Sequence, residues 1–445
     1  MADYEVNGVS NAPPQPSSLV EAIFRREVWP WGLLGITSGL VEGSTVAILV
    51  KKGYAGLVDP TFVNFAVAFL SGAPALANIS SFAWANLAHG RARVSVLASL
   101  QAAFAIIVGL IALIPFGPAG LALTIALVLC ARLIWAGVLT VRAAVWTANY
   151  PRAVMARMTG RIVVISSPGV ALVALCAGWV LDKSANASRW LYLVAAVCGL
   201  AAAWLFRAVR VRREFQLLAA EADAGAGANT FSLRQFREIL NGNPSYRSFM
   251  FWMSLYGAGN LMVNAQLVVF YNDRLHLPGL TQILLLAVVP MALIPLFIPW
   301  WARQFDQGHV IDYRARQCWV LVCSIVVNAV AVWLRQPWLL WLGSALCGVA
   351  YAGANLGWNL GHNDFAPLGQ AQHYMGVHVT LTGVRGLIAP PLGILVYELL
   401  EWWHAGYGVV SLCIPVLLIT AGGLGFVRMR DARRDVKRQL RDEER

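Results

Sequence analysis

The chain has 445 residues, 58% hydrophobic and only 13% charged, with a net charge of +12. A soluble globular chain is roughly half apolar and a quarter charged. Here the apolar residues fall in runs near the roughly 20 residues that a helix needs to cross the hydrocarbon, so composition excludes a soluble domain and describes an all-α polytopic membrane protein. The positive charge sits in alternate connections between the runs and in the C-terminal segment. That is the positive-inside pattern of a membrane protein, not the footprint of a nucleic-acid binder, and no nucleic-acid partner is expected. The seven cysteines lie in apolar runs without a C-x-x-C pair and read as buried thiols.

In chain order, Met1–Val28 reads as a polar N-terminal tail without a cleavable signal peptide. The first six runs are Trp29–Val50, Pro60–Asn86, Val94–Phe116, Leu121–Ala148, Gly160–Leu181 and Trp190–Val209. Ser166-Ser167-Pro168 predicts a bend in the fifth, because proline removes a backbone donor. A hydrophilic segment, residues 210–247, follows. Its Ala/Gly-rich middle, Ala219–Asn229, predicts a flexible stretch. Ser232 to Gln235 looks like a capping box, and Phe236, Ile239 and Leu240 follow at helical spacing, so a short amphipathic helix is expected there. Six further runs are Ser248–Tyr271, Leu280–Trp301, Cys318–Leu334, Leu339–Leu360, Tyr374–Leu399 and Gly406–Val427, and Arg428–Arg445 reads as a basic tail. The organisation is thus a tail (1–28), a six-helix bundle (29–209), a linker (210–247), a second six-helix bundle (248–427) and a second tail (428–445). One face collects Lys51, Lys52, Lys183, Arg189, Arg274 and Arg335, and spans hold Arg132, Arg142 and Arg385. The rest of the 34 basic residues lie on the other face, which makes that face, and both termini, cytoplasmic. Localisation in the cell inner membrane is expected.

The halves repeat. Trp84 to Arg91 (WANLAHGR) matches in kind Trp301 to Gly308 (WARQFDQG), and the stretch Trp135–Val180 is a diverged copy of Tyr351–Pro391, with Gly160 and Gly376 aligned. Two six-span halves joined by a long basic linker make a transporter architecture. On these features the chain resembles the major facilitator superfamily over Trp29–Val427. The family's inner-loop signature is G-x-x-x-D-[RK]-x-G-[RK]-[RK]. Gly90 and Arg91 fit it, whereas Leu87 stands at the acid's position and Ala83 at the first glycine's. In the second copy Asp306 lies one residue from register. The resemblance implies an inner gate latched through this acid, so Arg91, Asp306 and Arg161 are candidate gating residues, with Asp306 carrying more of the work.

A charge at the bilayer centre costs roughly 2.5–3.5 kcal/mol on insertion scales, which makes intramembrane charges functional candidates. Glu42 on span one and Arg132 on span four stand at similar depth, and the resemblance puts both helices on the central cavity. A Glu42–Arg132 pair is expected, with Glu42 as a proton-sensitive coupling group released when substrate engages Arg132. Arg142 lies ten residues further along span four, with Trp146 one turn on for a cation–π contact. Arg385, near the middle of span eleven, has no acid at its depth in the second half and expects carbonyls, amides such as Asn355, or an anionic ligand. Asn355, Asn359, His362 and Asn363 recur on one face of span ten, and Tyr256, Asn260 and Asn264 share a face of span seven. Both faces are candidates for cavity lining, against the alternative of interhelical hydrogen bonds. His362, His373 and His378 lack the i, i+4 pair of a metal site, so no metal or other cofactor is expected, and a histidine that titrates in the conformational cycle is the better reading.

No G-x-S-x-G, P-loop or H-E-x-x-H motif is present, which argues against an enzyme. The expectation is a monomeric secondary active transporter in which the two halves rock around a midplane site. Span ten and Arg385 would there meet Glu42 and Arg132 across the interface. Three intramembrane arginines against one glutamate favour an anionic or zwitterionic small-molecule substrate, with a proton as coupling ion. The alternatives are an exporter of amphipathic compounds and a non-transporting receptor or assembly factor on the same fold.

Overall fold

The computed structural model describes residues 17–184, 186–224, 233–367 and 370–443. Among these residues all regular structure is helical, and eleven helices are long and apolar enough to cross a membrane. Pro244–Asp273, 30 residues long, completes twelve crossings as span seven. It falls below its neighbours in hydropathy because it carries Tyr256, Asn260, Asn264 and Gln266. Twelve crossings return the chain to the face it started from. That face, which also receives the linker, is termed the terminal face and its opposite the far face.

Span one begins at Ser18 rather than Trp29, so the expected tail is shorter. The Ser17 hydroxyl accepts from the Val20 N–H and starts the helix. Val20, Ile23, Phe24 and Val28 then form a buried stripe at helical spacing while Arg25 and Arg26 stay exposed. The span is broken: Ser18–Gly39 ends, three residues leave the helical path, and Gly43–Gly53 resumes with Glu42 at its N-cap position. Spans two to six are Pro60–Ser80, Arg93–Ile111, Pro118–Asn149, Met158–Lys183 and Ser188–Phe206. The expected loop before span five is already helical from Arg152, and the helix runs on through Pro168. In the linker, Glu214–Ala224 and Leu233–Gly242 are helices. The second is the amphipathic helix expected from Phe236, Ile239 and Leu240, all partly buried against the core. Its capping residue Ser232 lies outside the described residues. Ala219 to Ala224, expected to be flexible, belong to the first.

Spans eight to twelve are Gly279–Phe305, Val310–Leu334, Pro337–Asp364, His373–Trp403 and Tyr407–Val436. Two boundaries matter. Span nine starts at Val310 rather than Cys318, which draws Arg314 into the bundle. The last helix continues to Glu443, so the basic tail prolongs span twelve. Cys130, Cys176, Cys323 and Cys413 are exposed on helix surfaces, a correction to their reading as buried thiols; an outward-facing thiol is tolerated because a lipid-facing surface is itself apolar.

The halves meet through spans one, two and five on one side and seven, eight and eleven on the other. Small residues permit close approach. A Cβ on Gly72 would collide with the Gly386 carbonyl oxygen, and one on Gly178 would lie 2.8 Å from the Leu280 Cα. Polar contacts close the far face around this seam. Lys51, buried in span one, donates to Asn64 and pairs with Asp273 of span seven at 2.7 Å. Asn64 and Thr61 of span two donate to the Glu398 carboxylate of span eleven at 2.6 and 3.1 Å. Asp182 of span five accepts from the Gly279 and Leu280 N–H groups at the start of span eight and pairs with Lys52 at 3.3 Å. A carboxylate at a helix N-terminus satisfies orphan donors and complements the dipole.

The seam yields a prediction. Gly72→Leu drives a side chain into the backbone of span eleven, so the far face should open. Spin labels at Leu57 and His404, in a background freed of native cysteines, should report a longer and broader distance than in the parent. An unchanged distance would show that the seam does not depend on this glycine.

Candidate functional site

Four helices meet in the second half around a cavity of about 260 Å³. Span seven contributes Met253, Tyr256, Gly257 and Asn260, and span ten contributes Tyr351, Ala354, Asn355 and Trp358. Span nine adds Arg314, and span eleven adds Thr382 and Arg385. The walls are mostly apolar and aromatic, two guanidinium groups stand in them, and no carboxylate is among the lining residues.

Arg385 is 7% exposed, and its donors go to neutral oxygens. It donates through Nη1 to the Met253 carbonyl, through Nε to the Leu381 carbonyl at 3.2 Å, and through Nη2 to the Thr382 hydroxyl. Gly257 leaves room beside it, because a Cβ there would collide with Nη1 and force the guanidinium to shift. Asn355 lines the cavity but is not a partner of Arg385, so that expectation is corrected: the carbonyls of spans seven and eleven are nearer to hand. Arg314 is fully buried. It donates to Gln317 Oε1 at 2.8 Å and to the Ala354 carbonyl at 3.3 Å, and Gly357 leaves room for its guanidinium. The sequence had assigned Arg314 to a loop. Reading span nine from Val310, where His309 Nδ1 caps the Ile311 N–H at 3.2 Å, would have found it.

The polar faces divide between the two readings offered for them. Asn260 lines the cavity, yet it and Asn264 also tie spans seven and ten together. Tyr351 donates to Asn260 Oδ1 at 3.1 Å and accepts from Asn264 Nδ2 at 3.2 Å. Tyr256 is buried in the wall. Asn359 is exposed and donates to the Asn355 carbonyl of its own helix at 2.8 Å, so it is not a wall residue. His362 and His378 are buried behind the wall; Nδ1 of the first and both ring nitrogens of the second have no hydrogen-bond partner among the described residues. His373 is partly buried near the start of span eleven. Among the described residues no group of three His, Cys, Asp or Glu could hold a metal ion.

The first half holds its charges separately. Arg132 donates to Glu42 Oε2 at 3.1 Å, the pair expected from the sequence, with Arg132 buried and Glu42 41% exposed at the break in span one. Neither residue lines the cavity. The expectation that span ten and Arg385 meet this pair across the interface is therefore corrected: the cavity wall is drawn from one half, and the pair is satisfied within the other. Arg142 stacks against Trp146 at 4.3 Å, as expected, and also against Trp31 at 5.0 Å. Beside it is a residue the sequence analysis placed in the tail. Glu27 is fully buried and accepts from Trp146 Nε1 at 2.9 Å and from Asn149 Nδ2 at 3.2 Å. Asn149 in turn accepts from the Arg212 N–H of the linker at 2.9 Å.

On the terminal face, Arg91, Arg161 and Asp306 are exposed, and no ion pair among the described residues engages any of them. Carboxylates with partners there include Asp364, which accepts from the Val310 N–H at 2.6 Å, and Asp312, which pairs with Arg433 at 3.2 Å. His309 beside them titrates below its ordinary value, first because it is partly buried and then because Arg433 is close. The halves are thus tied together on the far face, while the three gating candidates of the terminal face have no ion-pair partner among the described residues.

The Glu27 cluster yields a prediction. Glu27→Ala strands two buried donors, each worth about 1–3 kcal/mol when left unpaired. The unfolding temperature in detergent should fall clearly, and Glu27→Gln, which keeps an acceptor, should recover part of the loss. Equal stability of all three proteins would contradict the assignment.

Comparison with known proteins agrees with this architecture. The Major Facilitator Superfamily family model matches residues 31–390. No curated protein matches by sequence. Among solved structures, the POT family transporter PepTSo superposes with a TM-score of 0.66 at 10% identity, covering 94% of this chain and 99% of that one. The xylose transporter XylE from E. coli, in an inward-open conformation, gives 0.63 at 11% identity, covering 91% and 95%. A mutant of the nucleoside transporter NupG gives 0.58 at 13% identity, covering 92% and 98%. At these identities the likeness is one of fold.

Proposed function

The chain belongs to the Major Facilitator Superfamily, a family of transporters rather than enzymes, and from that premise we propose that it carries a small organic anion by alternating access, coupled to a proton. The observation that supports this reading is the pair Arg314 and Arg385 in a cavity wall without a carboxylate. A guanidinium cannot shed its charge at any working pH. Its neutral oxygen partners stabilise it but leave the net positive field, so an entering anion gains energy on binding. A zwitterion gains less, because its ammonium group meets no acid in the wall. Tyr256, Tyr351 and Trp358 suit an apolar or aromatic body on that anion, and Asn260 and Asn355 supply polar edges.

Alternating access then assigns the other charges. The terminal face is taken as cytoplasmic, from the asymmetry of Lys and Arg, and the membrane as the cell inner membrane. The arrangement described is then inward-open, and the contacts of Lys51, Lys52, Asp182 and Glu398 are the ones that must break for the far face to open. Arg91, Arg161 and Asp306 are proposed to engage only when the inner face closes. Glu42 and Arg132 brace the break in span one as the halves rock. An exporter of amphipathic anions uses the same cavity in the reverse direction. A receptor on this fold would bind without moving its ligand.

Two measurements test the reading. Benzoate, sulfate and succinate serve as probes of a singly charged aromatic, an inorganic and a doubly charged aliphatic anion. At least one should raise the unfolding temperature of the purified protein, and Arg314→Ala or Arg385→Ala should each weaken that binding about tenfold or more, the scale of one lost charge-assisted contact. In proteoliposomes the binding anion should exchange across the membrane with the wild type and not with either variant. Binding that leaves the anion untransported would favour the receptor. Stabilisation by none of the probes would contradict the anion reading.

A further inference from the structure

His378 lies one layer behind the cavity wall. It is fully buried on span eleven, and its ring meets the lining residue Trp358 edge-on, 5.4 Å between centroids. The charged and titratable groups that face it are Arg385 on its own helix, Arg314 on span nine and His362 at the end of span ten. No carboxylate is among them. Its Nδ1 and Nε2 have no hydrogen-bond partner among the described residues, although a neutral imidazole carries a donor on one and an acceptor on the other. It also belongs to a short relay. The Thr382 hydroxyl donates to the His378 carbonyl at 2.8 Å and accepts from Arg385 Nη2, so a ligand that re-aims Arg385 is felt at the His378 turn.

Resting on the reading of this cavity as an anion site, we propose that His378 takes up the coupled proton when an organic anion settles between Arg314 and Arg385. In the empty cavity a proton on His378 would be a third positive charge facing two guanidinium groups in a low-dielectric wall. An anion placed between those groups cancels much of their field, and the imidazole can then be charged. The step is a proton transfer: a hydronium ion of the solvent gives up H⁺ as one of its O–H bonds breaks, an imidazole nitrogen lone pair accepts it to form an N–H bond, and water is left. The anion and the proton thus enter together, because each removes the obstacle to the other. Linkage makes this reciprocal, so that acid strengthens anion binding by the same factor by which the anion promotes protonation. Glu42 lies outside this circuit, since its partner Arg132 does not line the cavity.

The test uses the full-length protein in detergent with benzoate as the probe, followed by sulfate and succinate. In ¹⁵N-histidine spectra near neutral pH, the His378 signals, identified by their loss in His378→Gln, should be those of a neutral ring without anion and of an imidazolium with it. In unbuffered solution with a pH dye, wild type and Glu42→Gln should take up a proton with each bound anion, and His378→Gln should bind without uptake. Anion binding that leaves the His378 ring neutral, or proton uptake that survives in His378→Gln, would overturn the proposal and leave the anion site standing. If no probe binds, the anion reading fails and this proposal falls with it.

Discussion

Two permanently charged guanidinium groups in one membrane-embedded wall, with no acid to neutralise them, are the constraint from which the rest of this molecule follows. Like charges repel strongly where the effective dielectric is low. The fold tolerates Arg314 and Arg385 by surrounding them with carbonyl, amide and hydroxyl oxygens drawn from spans seven, nine, ten and eleven. Each of those acceptors is neutral. The groups are solvated but not discharged, and the surplus field is available to a ligand.

The contrast with the other embedded charges makes the point sharper. Arg132 has Glu42, Lys51 has Asp273 and Asn64, and Lys52 has Asp182. Arg142 has two indole faces and a buried carboxylate beside it. Those pairs either brace one half, as at the break in span one, or latch the two halves together on the far face. A chain that supplies acids to Arg132, Lys51 and Lys52, and none to this cavity wall, separates scaffold charge from ligand charge. That separation is what alternating access needs, because the latches must open and close without competing for the cargo.

Much of this was legible in the sequence. Run lengths gave twelve spans, and matching loop and span motifs gave the likeness of the two halves. Glu42 and Arg132 were found as a pair because they stood at similar depth in apolar runs whose helices the resemblance sets on one cavity. The Arg142–Trp146 contact followed from helical spacing. What escaped reading escaped for physical reasons. Arg314 lies near the start of its helix and Glu27 in a stretch rich in charged residues, where a charged residue looks like a loop or a tail until packing shows that neighbouring helices bury it. Asn355 and Asn359 share a helix face in sequence, yet span ten turns only the first toward the cavity. The far-face latches join residues hundreds of positions apart, such as Asn64 and Glu398, and no periodicity encodes such pairs. The meeting of Glu42 with Arg385 was an inference from pseudo-symmetry, and symmetry of the halves does not require that both contribute to one wall.

The central claim is that an anion sits between Arg314 and Arg385 within the second half. Its most direct test is a structure of the protein determined with 4-iodobenzoate, in which the iodine's anomalous scattering marks the ligand without reference to the protein's own density. The account predicts the iodine peak in the cavity beside Trp358 and Tyr351, with the carboxylate directed at the two guanidinium groups. A peak at Glu42 and Arg132 in the first half, with the second-half cavity empty, would contradict it.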